Sequence, residues 1–250
     1  MGMPSYRTYI LSLLASTCLS SHGLAVEPSG SVVRVERITD ASGPGGTRVL
    51  RTEAPIYSGD EITTNPNGLA QIRFLDDTKI VVGPNSRMVI DSFVYSGGNT
   101  ARQVAVDAVK GVFRFISGNS PNSAYSIRTP TMVIGVRGTT IDIHSGVGSR
   151  VVFTEGSGDG TLNSGGHVQF QGGCRLYFAP PGGGVTTPQG LDQQIQMSAY
   201  FPLLQNQNQN MLDDAFKANT NTCTVVDSRL FEGPPESDSS RKAGTTGLPY

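Results

Sequence analysis

The sequence predicts an all-β fold, a wrapped β-solenoid or β-sandwich-like domain, followed by a partly helical extension and a disordered tail. Three observations predict it. Short runs rich in Val, Ile, Thr and Phe alternate with polar residues, which is the period of a pleated strand. Clusters of Gly, Pro, Asn, Asp and Ser interrupt these runs about every ten residues. Among the 250 residues there are Gly 31 and Trp 0, and glycine ordinarily makes up about 7% of a protein.

The elements follow in chain order. Residues 31–38 alternate, with Val33 and Val35 expected on one side and Val32, Arg34 and Glu36 on the other. Residues 40–47 (DASGPGGT) read as a loop and 48–52 as a second strand. From 57 to 91 the punctuation is regular. Turns at 58–60, 65–68, 76–77 and 83–86 separate strands at 61–64, 69–75, 79–82 and 88–91, with a positive φ expected at Gly68. Strands are expected at 102–109 and 111–116, the latter placing Phe113 and Phe115 on one core-facing side.

The stretch 125–143 (YSIRTPTMVIGVRGTTIDI) organises the chain. Two β-branched runs, 132–134 and 139–143, flank turn-prone 135–138, and Pro130 blocks a helix. We read two strands at a bend. A strand at 150–154, a flexible turn at 155–160 (EGSGDG) and strands at 167–170 and 175–178 complete the β region. Residues 191–219 have helical spacing at Ile195, Ala199, Leu203, Met211 and Ala215, interrupted by Pro202. A short element is expected at 223–230. Residues 232–250 are polar and rich in Pro, Gly and Ser, the composition of a disordered tail.

The N-terminus reads as a targeting segment. Arg7 supplies a positive region, 9–19 a short apolar run, and 23–25 the small residues of a cleavage site after Ala25. The run is too short to span a membrane, and the mature chain shows no transmembrane segment. The residues before Cys18 make a poor lipidation site. Export leaves Cys174 and Cys223, a disulfide candidate, with two free thiols as the alternative. A net charge of −1 gives no field that favours nucleic acid.

No catalytic, cofactor-binding or metal-binding site is legible. Asp60, Glu61, Asp76 and Asp77 sit at turns, where carboxylates favour local backbone hydrogen bonds over glycoside chemistry. Asp142 is expected to face inward and pair with Arg137 or Arg128. His144 and Ser145 lack the strand–elbow–helix setting of a serine hydrolase, so His144 is expected at the surface. Tetrahedral zinc wants four ligands, and only His144 and His167 could join Cys174 and Cys223, a weaker reading than the disulfide.

Taken together, several pieces resemble the FecR-type domain, named for the ferric-citrate regulator of bacterial iron uptake. They are Gly59-Asp60-Glu61-Ile62-Thr63-Thr64, Gly68-Leu69-Ala70, Asp77-Thr78, Pro84-Asn85-Ser86, Lys110-Gly111-Val112-Phe113, Thr129-Pro130 and Val136-Arg137-Gly138-Thr139. The resemblance covers roughly 59–143, with a weaker continuation through Val151-Val152-Phe153-Thr154-Glu155-Gly156. It implies a periplasmic strand-rich module in which Gly59, Asp60, Gly68, Asp77, Pro84, Asn85, Gly111, Thr129, Pro130, Gly138 and Thr139 build turns and core. In full-length iron regulators such a module receives a signal from an outer-membrane transporter by protein contact, behind a cytoplasmic segment and a spanning helix. Here the module is expected to follow a signal peptide directly.

The expected layout is a signal peptide at 1–25, a FecR-like β domain at 26–185, an extension at 186–231 and a tail at 232–250. The expected role is that of an exported, periplasmic or secreted, non-enzymatic module binding a protein partner in the cell envelope, with no cofactor. The alternative is an envelope structural protein that binds peptidoglycan or another glycan, which requires Tyr57, Phe93, Tyr95 and Tyr125 to cluster on the surface. An exported hydrolase stands third.

Overall fold

The computed structural model describes Gly2, residues 26–206 and 211–221, and Cys223. The signal peptide expected at 1–25, Gly2 apart, lies outside these described residues, as do 224–230 and the tail expected at 232–250.

Strands form where side chains alternate between a packed and an open face. In the first half these are β1 (Gly30–Glu36), β2 (Thr39–Gly43), β3 (Gly46–Val49), β4 (Pro55–Ile56), β5 (Glu61–Thr64), β6 (Leu69–Phe74), β7 (Lys79–Val82) and β8 (Arg87–Gly97). The region expected to be a loop at 40–47 is a hairpin, with Gly43 opposite Gly46 across a two-residue turn and Gly46 at φ +77°. Its glycines serve strand ends and the turn together. In β1 a bulge between Val32 and Arg34 breaks strict alternation. Val32 and Val35 therefore reach the main core, while Val33 reaches a smaller cluster on the other side.

Three long strands dominate the second half: β9 (Thr100–Ile116), β11 (Met132–Gly146) and β12 (Gly148–Leu162). Around them lie β10 (Tyr125–Arg128), β13 (His167–Gln171) and β14 (Arg175–Ala179). The two runs expected at 102–109 and 111–116 are one strand, and so are 132–134 and 139–143. The glycine run at 155–160 is not a turn but part of β12. Gly158 and Gly160 leave room for rings there: a Cβ at Gly158 would lie 3.0 Å from Phe153, and one at Gly160 2.6 Å from Phe170. Those two rings stack with centroids 4.9 Å apart.

The long strands change partners midway and so fold one sheet into two layers. In the first layer the order is β4-β1-β6-β7-β9-β11-β12-β14, using residues 111–116, 140–145 and 149–153 of the long strands. In the second it is β3-β2-β5-β8-β9-β10-β11-β12-β13, using 100–110, 133–134 and 157–161. Neighbours run antiparallel, and β10 lies parallel to β9. The layers are thus those of a sandwich rather than the parallel-stacked coils of a solenoid. Crossing points fall at residues with left-handed backbone, Gly111 (φ +105°), Gly138 (φ +55°) and Gly156 (φ +74°), a region that side-chain-bearing residues avoid. Between the layers sits the main core. Ring pairs cross it: Phe74 with Phe93 at 5.4 Å, and Phe115 with Tyr125 at 5.7 Å.

The extension forms α1 (Gly190–Tyr200) and α2 (Pro202–Gln205). Pro202 opens α2 at a position where its missing N–H costs nothing. The packed face carries Met197, Phe201 and Leu204 rather than Ile195, which is exposed. After α2 the described chain makes one short 3-10 turn, Asp214–Phe216, instead of a helix.

Candidate recognition faces

The outer face of the first layer is built from one cross-strand row. Gln71 on β6 pairs with Val81 on β7, which pairs with Arg114 on β9. Arg114 pairs with Asp142 on β11, Asp142 with Val152 on β12, and Val152 with Leu176 on β14. Arg114 Nε and Nη2 donate to the Asp142 carboxylate at 3.0 and 2.9 Å, and both side chains are buried. Burial pushes the Asp142 carboxyl above its ordinary value, against the opposing pull of Arg114. Asp142 thus pairs with neither Arg137 nor Arg128. Its partner follows from strand register, which residue types alone do not carry.

This face is covered by the chain's own extension. Leu69 and Val81 pack with Leu203, Leu212 and Phe216. Val152, Cys174 and Leu176 pack with Met197, Phe201, Leu204 and Ala218. The Gln71 side chain donates to Met211 O at 3.0 Å and accepts from the Asp213 N–H at 2.9 Å. Arg114 Nη1 donates to Phe216 O at 3.2 Å. The guanidinium of Arg150 lies between the rings of Phe178 and Tyr200, 4.0 and 4.1 Å from their centroids. Cys174 is bonded to Cys223, with Cα atoms 5.1 Å apart. His144 is half-buried against Tyr200, with ring centroids at 4.8 Å, not on the open surface. Burial and then the charge of Arg150 lower its pKa. His144 Nδ1 and Ser145 Oγ are buried without hydrogen-bond partners and are not bonded to each other.

The second layer's outer face is open. Val89, Asp107, Arg128, Val133, Thr161 and His167 form its row through successive pairings of β8, β9, β10, β11, β12 and β13. Arg128 holds Asp107 at 2.6 Å and Asp91 at 2.8 Å. These bonds, that to Asp107 first, keep its guanidinium pKa raised. β13 ends this layer with one backbone edge unpaired among the described strands.

The remaining sequence-singled residues are dispersed. Asp60 accepts from Arg48 at 3.1 Å and from the Tyr57 N–H at 2.8 Å. Asp76 is fully buried and accepts from the Thr78 N–H and hydroxyl, Ser120 and Tyr125. Asp77 takes φ +66° in the β6–β7 turn and Asn85, after Pro84, φ +52°. Gly59 is at φ +87°. Gly68 is not left-handed; it serves close approach, since a Cβ there would lie 2.9 Å from Ile38 O. Thr129, before Pro130, caps the Met132 N–H at 3.2 Å, and Thr139 Oγ1 donates to Ser157 O at 2.8 Å. Tyr125 is buried and Tyr57 half-buried, so the four aromatics required by a glycan platform do not cluster on the surface. Among the described residues no group of three or more His, Cys, Asp or Glu is placed to hold a metal ion, and no helix is long and apolar enough to cross a membrane.

Sequence reasoning missed Asp76 as a buried hub and Arg114 as the partner of Asp142. A charged residue inside the apolar run 111–116 was the available signal for Arg114.

Residues 60–157 match the family model described as FecR protein. No curated protein gives a significant match. Two crystal structures of a candidate anti-sigma factor from Parabacteroides distasonis ATCC 8503 are similar to it, each with 14% identity and a TM-score of 0.43. The match covers 54% and 56% of this chain, and 62% and 63% of those chains, so this chain spans less than two thirds of their length. The matched stretch runs from β5 to the crossing point of β12 and is similar to the FecR family over that length.

Proposed function

We propose that the protein is an exported, non-enzymatic FecR-like sensing module that acts by protein–protein recognition in the bacterial cell envelope. One observation carries this reading. Of the two outward sheet faces, one is filled by the chain's own extension, while the other presents a charged row ending at an open strand edge. An open edge offers backbone N–H and C=O groups to an incoming strand. The charges of Arg128, Asp107 and Asp91 lie further in on the same face, on β10, β9 and β8, where they orient a partner and set the rate of encounter. Export rests on residues 1–25, and the Cys174–Cys223 bond fits an oxidising compartment. In this reading residues 26–185 form the FecR-like domain and 186–231 its extension.

The test is a crosslinking pull-down from envelope extract with the chain beginning at residue 26. The expected result is recovery of one envelope protein, reduced about tenfold by Arg128→Glu, which corresponds to about 1.4 kcal/mol. Retention on purified peptidoglycan without a protein partner overturns the reading.

A further inference from the structure

We propose that the covered face of the first layer is a peptide-docking surface, and that residues 211–221 are its tethered occupant, released when the Cys174–Cys223 bond is reduced. This surface is separate from the open face argued above and stands whether or not that face binds a partner.

The occupant is held as a peptide is held, not as a core element. Its described backbone has a single short turn, Asp214–Phe216. The sheet reads that backbone through side chains. The buried Gln71 amide gives one donor and one acceptor to the groups on either side of Leu212, at 3.0 and 2.9 Å. A neighbouring strand would offer the same pair of bonds. Arg114, fixed by Asp142, reaches the carbonyl of Phe216 at 3.2 Å.

Two anchors then enter apolar space. Leu212 and Phe216, four positions apart, are buried against Leu69, Val81 and Leu203, while Asp214 between them is exposed. A Gln at one end of the row and an ion pair within it add little stability but demand a specific partner. The chemistry that fits is a peptide with an aliphatic anchor, one 3-10 turn that brings in an aromatic four positions later, and free backbone groups around the first anchor.

The disulfide fixes the far end of this segment to the first residue before β14. While it is intact, the occupant is held at both ends and competes at high effective concentration; reduction leaves only its chain connection to α2 and lowers that concentration. A dithiol opens it by attack of a thiolate on one sulfur, which expels the other as a thiol. The reagent's second thiol then displaces the mixed disulfide. Cys174 and Cys223 end as thiols and the dithiol as its cyclic disulfide.

The test uses a fluorescein-labelled peptide of residues 211–221 (MLDDAFKANTN), titrated by anisotropy into the full chain. The expected result is binding at least tenfold tighter to dithiothreitol-treated protein and to Cys223→Ser than to oxidised protein. Gln71→Leu in the reduced state is expected to lose at least tenfold, and a scrambled peptide not to bind. Hydrogen exchange keeps the test decisive if Cys223→Ser does not fold. Reduction is expected to speed exchange about tenfold within 211–221 and leave β11 unchanged. Equal peptide affinity in both redox states, no binding to reduced protein whose β11 stays protected, or equal acceleration in β11 overturns the proposal.

Discussion

Asp76 illustrates what a single carboxylate does in this molecule. It lies at the β6–β7 turn, where an Asp ordinarily bonds only its near neighbours. Here it also accepts from Ser120 at 2.6 Å and Tyr125 at 3.3 Å, residues 44 and 49 positions away. Ser120 in turn accepts from the Ala101 N–H at the start of β9. One side chain therefore ties the first layer to the second. Asp76→Ala leaves several buried donors unpaired and is expected to cost about 3 kcal/mol. Thermal unfolding checks it, through a Tm lowered by roughly 6–12 °C. The turn was legible in the sequence; the long reach was not, because Ser120 and Tyr125 have no local mark that distinguishes them. His144 behaves differently. Its pKa is lowered by burial and by Arg150, so the folded form holds the ring neutral. The unfolded chain takes up the proton first as pH falls through about 6.5. Stability from this group is present above that pH and is lost below it, until the folded value is passed. Melting at pH 7.5 and 5.5 is expected to show a larger acid loss for the wild type than for His144→Gln.

At the scale of elements, strand positions were mostly legible and their continuity was not. β5, β6 and β7 stand where alternation and turn residues placed them. The breaks assigned within β9, β11 and β12 were mistaken because a glycine that ends a strand and one that bends it look the same in sequence. Register separates the two, and register decides which charges meet. Arg114 and Asp142 are direct neighbours on β9 and β11, sealed beneath the extension. Two ions removed from water repay their desolvation only while both are present. Asp142→Leu alone is therefore expected to cost about 3–5 kcal/mol, as Arg114 is left buried and uncompensated. The double change Arg114→Met with Asp142→Leu is expected to recover most of that loss. Urea unfolding of the two singles and the double closes the cycle. A double variant as unstable as the worse single contradicts this account of the pair.

For the whole molecule, the consequence of three shared strands is cooperativity. β11 contributes residues 133–134 to the second layer and 140–145 to the first, joined through Gly138. β9 crosses at Gly111 and β12 at Gly156, where a Cβ would meet the Gly138 carbonyl carbon at 2.7 Å. The aromatic rings that bridge the core belong to both layers, so neither layer keeps its packing when the other opens. The two-layer partition was hidden from the sequence because its alternation shows that a strand has an inner face, not which opposing strand fills it. The covering segment was hidden for a related reason: Leu212 and Phe216 are too sparse to signal burial until the face beneath them is known. Two independently folding sheets would show separate opening free energies for amides 133–136 and 141–145 of β11. A sandwich laced by shared strands opens both together, and native-state hydrogen exchange is expected to place the two sets within about 1 kcal/mol of each other. The same experiment is expected to give lower protection at the 211–221 cover, whose described backbone bonds run to Gln71, Arg114 and its own short turn rather than to a neighbouring strand. Layers that differ by several kcal/mol would show that the crossings act as hinges, with the packed rings contributing little across them.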